Sequence, residues 1–183
     1  MYRVCFPKIL ILFAVIAVLP ILNSCSREPR EKGTLEVRIK DHREAIDDFV
    51  KLDLFIEAVR LKPWGGWIDL KPDVASFDLT AYKQGNSLTV FKGEVDSGSL
   101  EGFHLKLEKI DGTLKKNNVS VPVKNEVGPI QMSLSIEPKK VTLLTVDLKV
   151  LDLSDHAGRG YELHINGYEH ARDGKLIEKV PPG

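Results

Sequence analysis

Residues 50–59 read VKLDLFIEAV, and in that stretch Val50, Leu52, Leu54, Ile56 and Ala58 alternate with Lys51, Asp53, Phe55, Glu57 and Val59. A repeat of two places every second side chain on the same side of an extended chain, so this segment predicts a strand with one apolar and one mixed face. The same rhythm recurs on either side. Leu35, Val37 and Ile39 alternate with Glu36, Arg38 and Lys40; Phe103, Leu105 and Leu107 with His104, Lys106 and Glu108. Shorter segments are marked by Phe77 and Leu79 and by Leu88 and Val90. Ile130, Met132, Leu134 and Ile136 make another strand, Leu144 to Val150 a long one after the turn Glu137 to Lys140, and Tyr161, Leu163 and Ile165 one face of a further one.

Turn residues punctuate these runs. Trp64-Gly65-Gly66-Trp67 carries a Gly-Gly pair suited to a hairpin, with Trp67 to Leu70 returning, and Asn117-Asn118 marks a second hairpin between Gly112 to Lys116 and Val119 to Val123. Only Asp41 to Val50 and Asp78 to Gln84 have room for a helical turn or two. Many short strands between Gly, Pro and Asn turns predict an all-β fold, an antiparallel β-sandwich of the Ig-like or transthyretin-like Greek-key kind.

The first 25 residues have a different character. Met1 to Lys8 is a short positive segment, and Ile9 to Leu22 is apolar throughout apart from Pro20, the layout of an export leader. Fourteen residues rise roughly 21 Å, short of the roughly 30 Å of a bilayer's hydrocarbon core, which fits a cleaved signal rather than a permanent span. Leu22-Asn23-Ser24-Cys25 resembles the lipobox of bacterial lipoproteins, in which the cysteine is acylated and becomes the new N-terminus. The resemblance implies a signal peptide over residues 1–24, lipid attachment at Cys25, a tether over 25–32 and a folded domain over 33–183. Several acyl chains at about 0.8 kcal/mol per CH₂ hold a protein on its membrane far better than one does. The seven residues Ser26 to Lys32 reach at most roughly 25 Å, keeping the domain near the lipid. Ser26, where an aspartate is absent, resembles lipoproteins forwarded to an outer membrane, facing the periplasm in a cell with two membranes.

Composition excludes some functions. The chain has 183 residues, with 26 basic against 26 acidic. Without Arg3 and Lys8 of the leader, 24 basic residues face 26 acidic ones, so no basic footprint for nucleic acid remains. Cys5 leaves with the leader, so Cys25 has no internal partner for a disulfide.

Catalytic signatures are sparse. Gly98-Ser99-Leu100-Glu101-Gly102 has the wrong register for a nucleophile elbow. No paired Cys-Xaa-Xaa-Cys, His-Glu-Xaa-Xaa-His or phosphate loop occurs, and no cofactor is implied. Asp152, Asp155 and His156, with His164 and His170 further on, are the candidate ligands for calcium or a transition metal, although their spacing is not that of a calcium loop and a polar turn joining two strands explains it more simply. Asp41, Asp47 and Asp48 form a second acidic group. Trp64 and Trp67 are the candidate platform for a polysaccharide or a partner protein.

Gly33 to Asp41 (GTLEVRIKD), the acidic stretch after it, the strand Val50 to Leu61, Gly66 to Leu70 (GWIDL), Phe77-Asp78-Leu79 and Ser97 to Leu107 (SGSLEGFHLKL) follow one another in an order that resembles a bacterial and archaeal family, domain of unknown function 4382. The resemblance spans Gly33 to Tyr168. It departs at Glu101-Gly102-Phe103, where a Gly-Xaa-Tyr step is usual, and at Asp41-His42-Arg43, where Asp-Ala-Pro is usual. Members are typically lipoproteins or secreted proteins with a sandwich-like domain, and the resemblance implies fold and location without an activity. Together these readings predict a membrane-anchored lipoprotein whose non-catalytic sandwich binds or scaffolds an envelope protein or polysaccharide. The alternative is a metal-dependent envelope hydrolase or calcium-binding module built on Asp152, Asp155 and His156.

Overall fold

The computed structural model describes residues 30–180; the leader over residues 1–24, Cys25 and most of the tether lie outside the described residues. Among the described residues there are twelve strands: β1 (Lys32–Asp41), β2 (Phe49–Pro63), β3 (Ile68–Leu70), β4 (Ser76–Asp78), β5 (Leu88–Asp96), β6 (Gly98–Leu114), β7 (Ser120–Val121), β8 (Val123–Asn125), β9 (Ile130–Ile136), β10 (Val141–Asp152), β11 (Tyr161–Arg172) and β12 (Lys175–Val180). They form two six-stranded sheets. One runs β12-β11-β10-β1-β5 with β8 alongside β11; the other runs β3-β2-β6-β7 with β4 alongside β2 and β9 alongside β6. The fold is all-β and sandwich-like. Its inner faces share one core, in which Leu35, Val37 and Ile39 of β1, Leu54 and Leu61 of β2, Phe103 and Leu105 of β6, and Leu144 to Val150 of β10 meet.

Most pairs are antiparallel, but β1 lies parallel to β10, from Thr34 opposite Val141 to Asp41 opposite Leu148, and β8 lies parallel to β11. The reason is the route of the chain. β9 belongs to one sheet and β10 to the other, so the turn Glu137 to Lys140 is an arch between layers that delivers β10 beside β1 in the same direction. Alternation specifies a buried face and says nothing of a partner's direction.

β2 keeps the expected rhythm only in its middle. Leu52 and Leu54 are fully buried, yet Val50 is 49% exposed while Val59 and Phe49 are sealed in the core. Register shifts against β6 near Phe49, Ile56 and Ala58 cause this, because each extra residue moves the following side chains to the opposite face. Both hairpins form. Leu61 pairs with Ile68 across the Gly65-Gly66 turn, where φ is +106° and +130°, values an L side chain rarely adopts. Thr113 pairs with Ser120 across Asn117-Asn118. The two helical segments appear as single 3₁₀ turns, Ala45–Asp48 and Leu79–Tyr82, the second capped by Asp78, which accepts from the Thr80 amide at 3.0 Å.

The sandwich has two distinct ends. At the chain-entry end, Lys32 opens β1 opposite Asp96, the Ser97 amide donates to the Glu31 carbonyl at 2.8 Å, and the β2–β3 turn lies close by. The far end gathers Asp41, the 3₁₀ turn Ala45–Asp48, the Lys115 to Asn118 turn and the loop between β10 and β11. It is tied by the Lys115 amide on the Asp48 carbonyl and by the Tyr161 hydroxyl on Asp48.

Candidate functional site

At the chain-entry end the two layers leave an apolar groove of about 390 Å³. Its floor is made of Leu61 and Pro63 from β2, Ile68 and Leu70 from β3, Val95 from β5 and Leu100 from β6. Leu61, Val95 and Leu100 belong to the buried core, while Ile68 is 43% exposed, so the groove is where the core reaches solvent. Charges stand on its rim in both signs, Arg30 and Lys32 with Glu94 and Asp96, and Lys32 Nζ lies 3.9 Å from Glu94 Oε2. Trp64 projects at the edge, 91% exposed.

Trp67 serves a different surface. It lies on the outer face of the second sheet, where the Arg60 guanidinium stands 5.5 Å from its ring and the His104 ring meets it edge-on at 6.4 Å. It also covers Gly102, where a Cβ would sit 3.3 Å from the indole. Alternation separates the neighbours: Ile68 enters the groove, while Trp67 and Asp69, which accepts from Arg60 Nε at 2.6 Å, face outward. His104 is half-buried under this tryptophan. Burial pushes its pKa below the usual imidazole value, against the pull of the Val127 carbonyl 3.2 Å away.

Trp64 therefore contributes little to folding. Trp64→Ala is expected to leave the unfolding free energy from urea titration within about 0.5 kcal/mol of the parent, as for an exposed side chain outside any network. A larger loss would show the indole packed down over the groove.

The remaining candidates are dispersed. Asp152 turns back to accept from the Ser154 amide at 2.9 Å, and hydrogen bonds from Ser154 hold its carboxyl below the ordinary range. Asp155 pairs with His156 at 2.6 Å, both exposed at the far end. His164 bonds Glu162 at 2.9 Å on the outer face, whereas His170 lies nearer the chain-entry end, facing inward opposite Leu144. The second acidic group is divided as well: Asp41 is buried, Asp47 pairs with Lys83 at 2.7 Å, and Asp48 accepts from Tyr161. Among the described residues no three His, Cys, Asp or Glu side chains are arranged to hold a metal ion. Ser99 sits within β6 opposite Ser135, in regular strand rather than at an elbow.

One polar cluster escaped the sequence reading. On the outer face of the first sheet, Asp147 Oδ2 lies 3.0 Å from His42 Nδ1 and accepts from Asn166 Nδ2 at 3.1 Å. These residues are up to 124 positions apart in the chain, and only the parallel β1–β10 pairing, with the β10–β11 ladder beside it, assembles them. Glu36, on the same sheet, is a buried acid. Burial pushes its pKa up, but hydrogen bonds from Lys92, Arg38 and Thr89 outweigh that and leave it below the ordinary value.

Comparison with known families matches the chain to the model described as Domain of unknown function (DUF4382), over residues 32–163. The chain belongs to this family. The match takes in β1 to β10 and the first residues of β11, so both tryptophans and the groove apart from Arg30 lie inside the DUF4382 domain, while His164, His170 and β12 follow it. No curated protein and no solved structure matches the chain. The family's description assigns no activity, so membership carries the fold and leaves function to the site. No helix among the described residues is long and apolar enough to cross a membrane.

Proposed function

We propose that this DUF4382 protein is a lipid-anchored lipoprotein of the bacterial envelope, held through Cys25, whose non-catalytic sandwich engages an envelope partner at the chain-entry end. The observation that carries the reading is the apolar groove beneath exposed Trp64. A groove floored by aliphatic side chains, with its charges confined to the rim, is suited to burying an apolar group rather than to moving protons. An exposed tryptophan beside such a groove has the amphipathic character of an interface anchor. The leader and lipobox support the location, and in a cell with two membranes Ser26 favours the outer one.

The test is made in cells. A photoreactive residue at position 64 is expected to crosslink to an envelope component, while the same residue at Lys116, exposed at the far end, does not; the protein partitions with membranes, and the mass of its N-terminus shows an acylated Cys25. Equal crosslinking at both positions would sink the groove reading. A soluble product in the cytosol with an unmodified terminus would sink the anchor.

A further inference from the structure

We propose that the envelope partner at this groove is the bilayer itself: the chain-entry end lies on the leaflet that holds the anchor, with Trp64 at headgroup depth and acyl tails against Ile68 and Leu70. This rests on the lipoprotein reading above and names what the site touches.

Position is the first argument. Arg30 lines the groove and stands five residues after Cys25, a separation of at most about 17 Å in extended chain. An acylated Cys25 would therefore hold the mouth of the groove within reach of the headgroup layer. The intervening residues, Ser26-Arg27-Glu28-Pro29, are polar or charged and make poor occupants for an aliphatic floor.

Chemistry is the second. Trp64 is 91% exposed on a turn and Ile68 is 43% exposed beside it, the combination of an indole and an aliphatic residue that favours the water–lipid boundary. The opposite end has another composition. Lys115, Lys116, Asn117, Asn118, Asp155 and His156 are exposed there around two single valines, Val50 and Val119, with no aromatic side chain among them, and such a surface belongs in water. β1 runs ten residues from one end to the other, about 33 Å, so the far end stands clear of the membrane. Because Arg30 and Lys32 share the rim with Glu94 and Asp96, the contact draws on apolar burial rather than on anionic headgroups.

The full chain, purified from membranes and reconstituted in phosphatidylcholine vesicles, tests this through tryptophan quenching by lipids brominated along the acyl chain. In Trp67→Phe, Trp64 is expected to lose more than half its emission, and raising the salt leaves the loss unchanged. In Trp64→Phe, which alters only an exposed position, the remaining Trp67 keeps its emission. Equal quenching in the two variants, or none in Trp67→Phe, would overturn the proposal. The N-terminal mass is read on the same samples. An acylated Cys25 with Trp64 unquenched refutes the surface contact and spares the anchor, whereas a quenched Trp64 above an unmodified Cys25 supports the contact and refutes the anchor.

Discussion

Truncating Phe103 to alanine is expected to lower the unfolding free energy by about 3–5 kcal/mol, the largest cost of any single change considered for this chain. Phe103 is fully buried in the core, behind the floor of the groove. Its strand cannot slide to fill the space, because β6 is hydrogen-bonded to β2 at Leu61 on one side and to β9 at Ile130 on the other. The removed ring leaves a void whose lining loses both transfer energy and contacts. Phe55→Ala is the control. That ring lies on the outer face, half-buried, with Lys109 Nζ 5.5 Å from its centre, and its loss is expected to cost about 1 kcal/mol. Urea unfolding reads both as shifts in midpoint at an unchanged slope. Equal shifts would mean that the core does not close around β6 as described. Leu100 lies three residues before Phe103 on the same strand and floors the groove, so loosening this point also loosens the proposed membrane-facing surface.

The strands that could be read from the sequence are those whose alternation runs without interruption: Leu35 to Ile39, Met132 to Ile136 and Leu144 to Val150 bury the residues their rhythm assigns, and Ile130 is half-buried against the same core. β2 and β11 were legible in part. In β11 the rhythm Tyr161, Leu163, Ile165 breaks at a bulge opposite Asp147 and Leu148, after which Tyr168 and His170 turn inward, although both are even-numbered like the outward His164. A bulge is one extra residue, and nothing in a hydrophobic pattern distinguishes it from a chance polar neighbour. The strands β3, β4, β7 and β8 have two or three residues each, too few for a period to show.

The site was less legible than the fold, for a physical reason. Trp64 and Trp67 look like a pair because they flank two glycines, yet the turn those glycines make places one at an open groove and the other on a packed outer face. The aliphatic floor comes from β2, β3, β5 and β6, and each member is indistinguishable in sequence from an ordinary core residue. Only the layer geometry shows that Pro63, Ile68 and Leu70 reach solvent there, with Leu61, Val95 and Leu100 buried behind them. The cluster of His42, Asp147 and Asn166 was hidden likewise, because a parallel pairing across most of the chain carries no local signature.

Replacing Asp41 by asparagine is expected to stabilise the protein by up to about 3 kcal/mol at pH 7 and to give almost no gain at pH 4. Asp41 ends β1, 5% exposed, with Oδ2 accepting from the Arg43 amide at 2.8 Å and Oδ1 buried without a partner among the described residues. Burial pushes its pKa up to about 6; the Arg43 amide and Lys83 pull it down, while Asp147 and Asp47 push it further up. In the unfolded chain the same carboxyl loses its proton near the ordinary value of about 3.9. Between those two values the folded state holds more protons, so its stability is greatest below about pH 4 and is lost as pH rises through about 6, at about 1.4 kcal/mol per pH unit. Asparagine keeps an oxygen for Arg43 and carries no charge, which removes this loss. His170 acts in the opposite sense. It is 4% exposed, and burial lowers its pKa, aided by Arg172 and opposed by Glu178, so its contribution is present above about pH 6.5 and is lost as pH falls. The parent thus carries opposed slopes, and Asp41→Asn removes the one that falls with pH, leaving those of His170, of His104 and of the carboxylates held below their ordinary range: urea midpoints measured from pH 4 to 8 are expected to rise with pH more steeply in the variant than in the parent. Parallel curves would show that Asp41 is ionised in the folded protein at the same pH as in the unfolded chain, and therefore that the far end of β1 is wetter than its geometry implies.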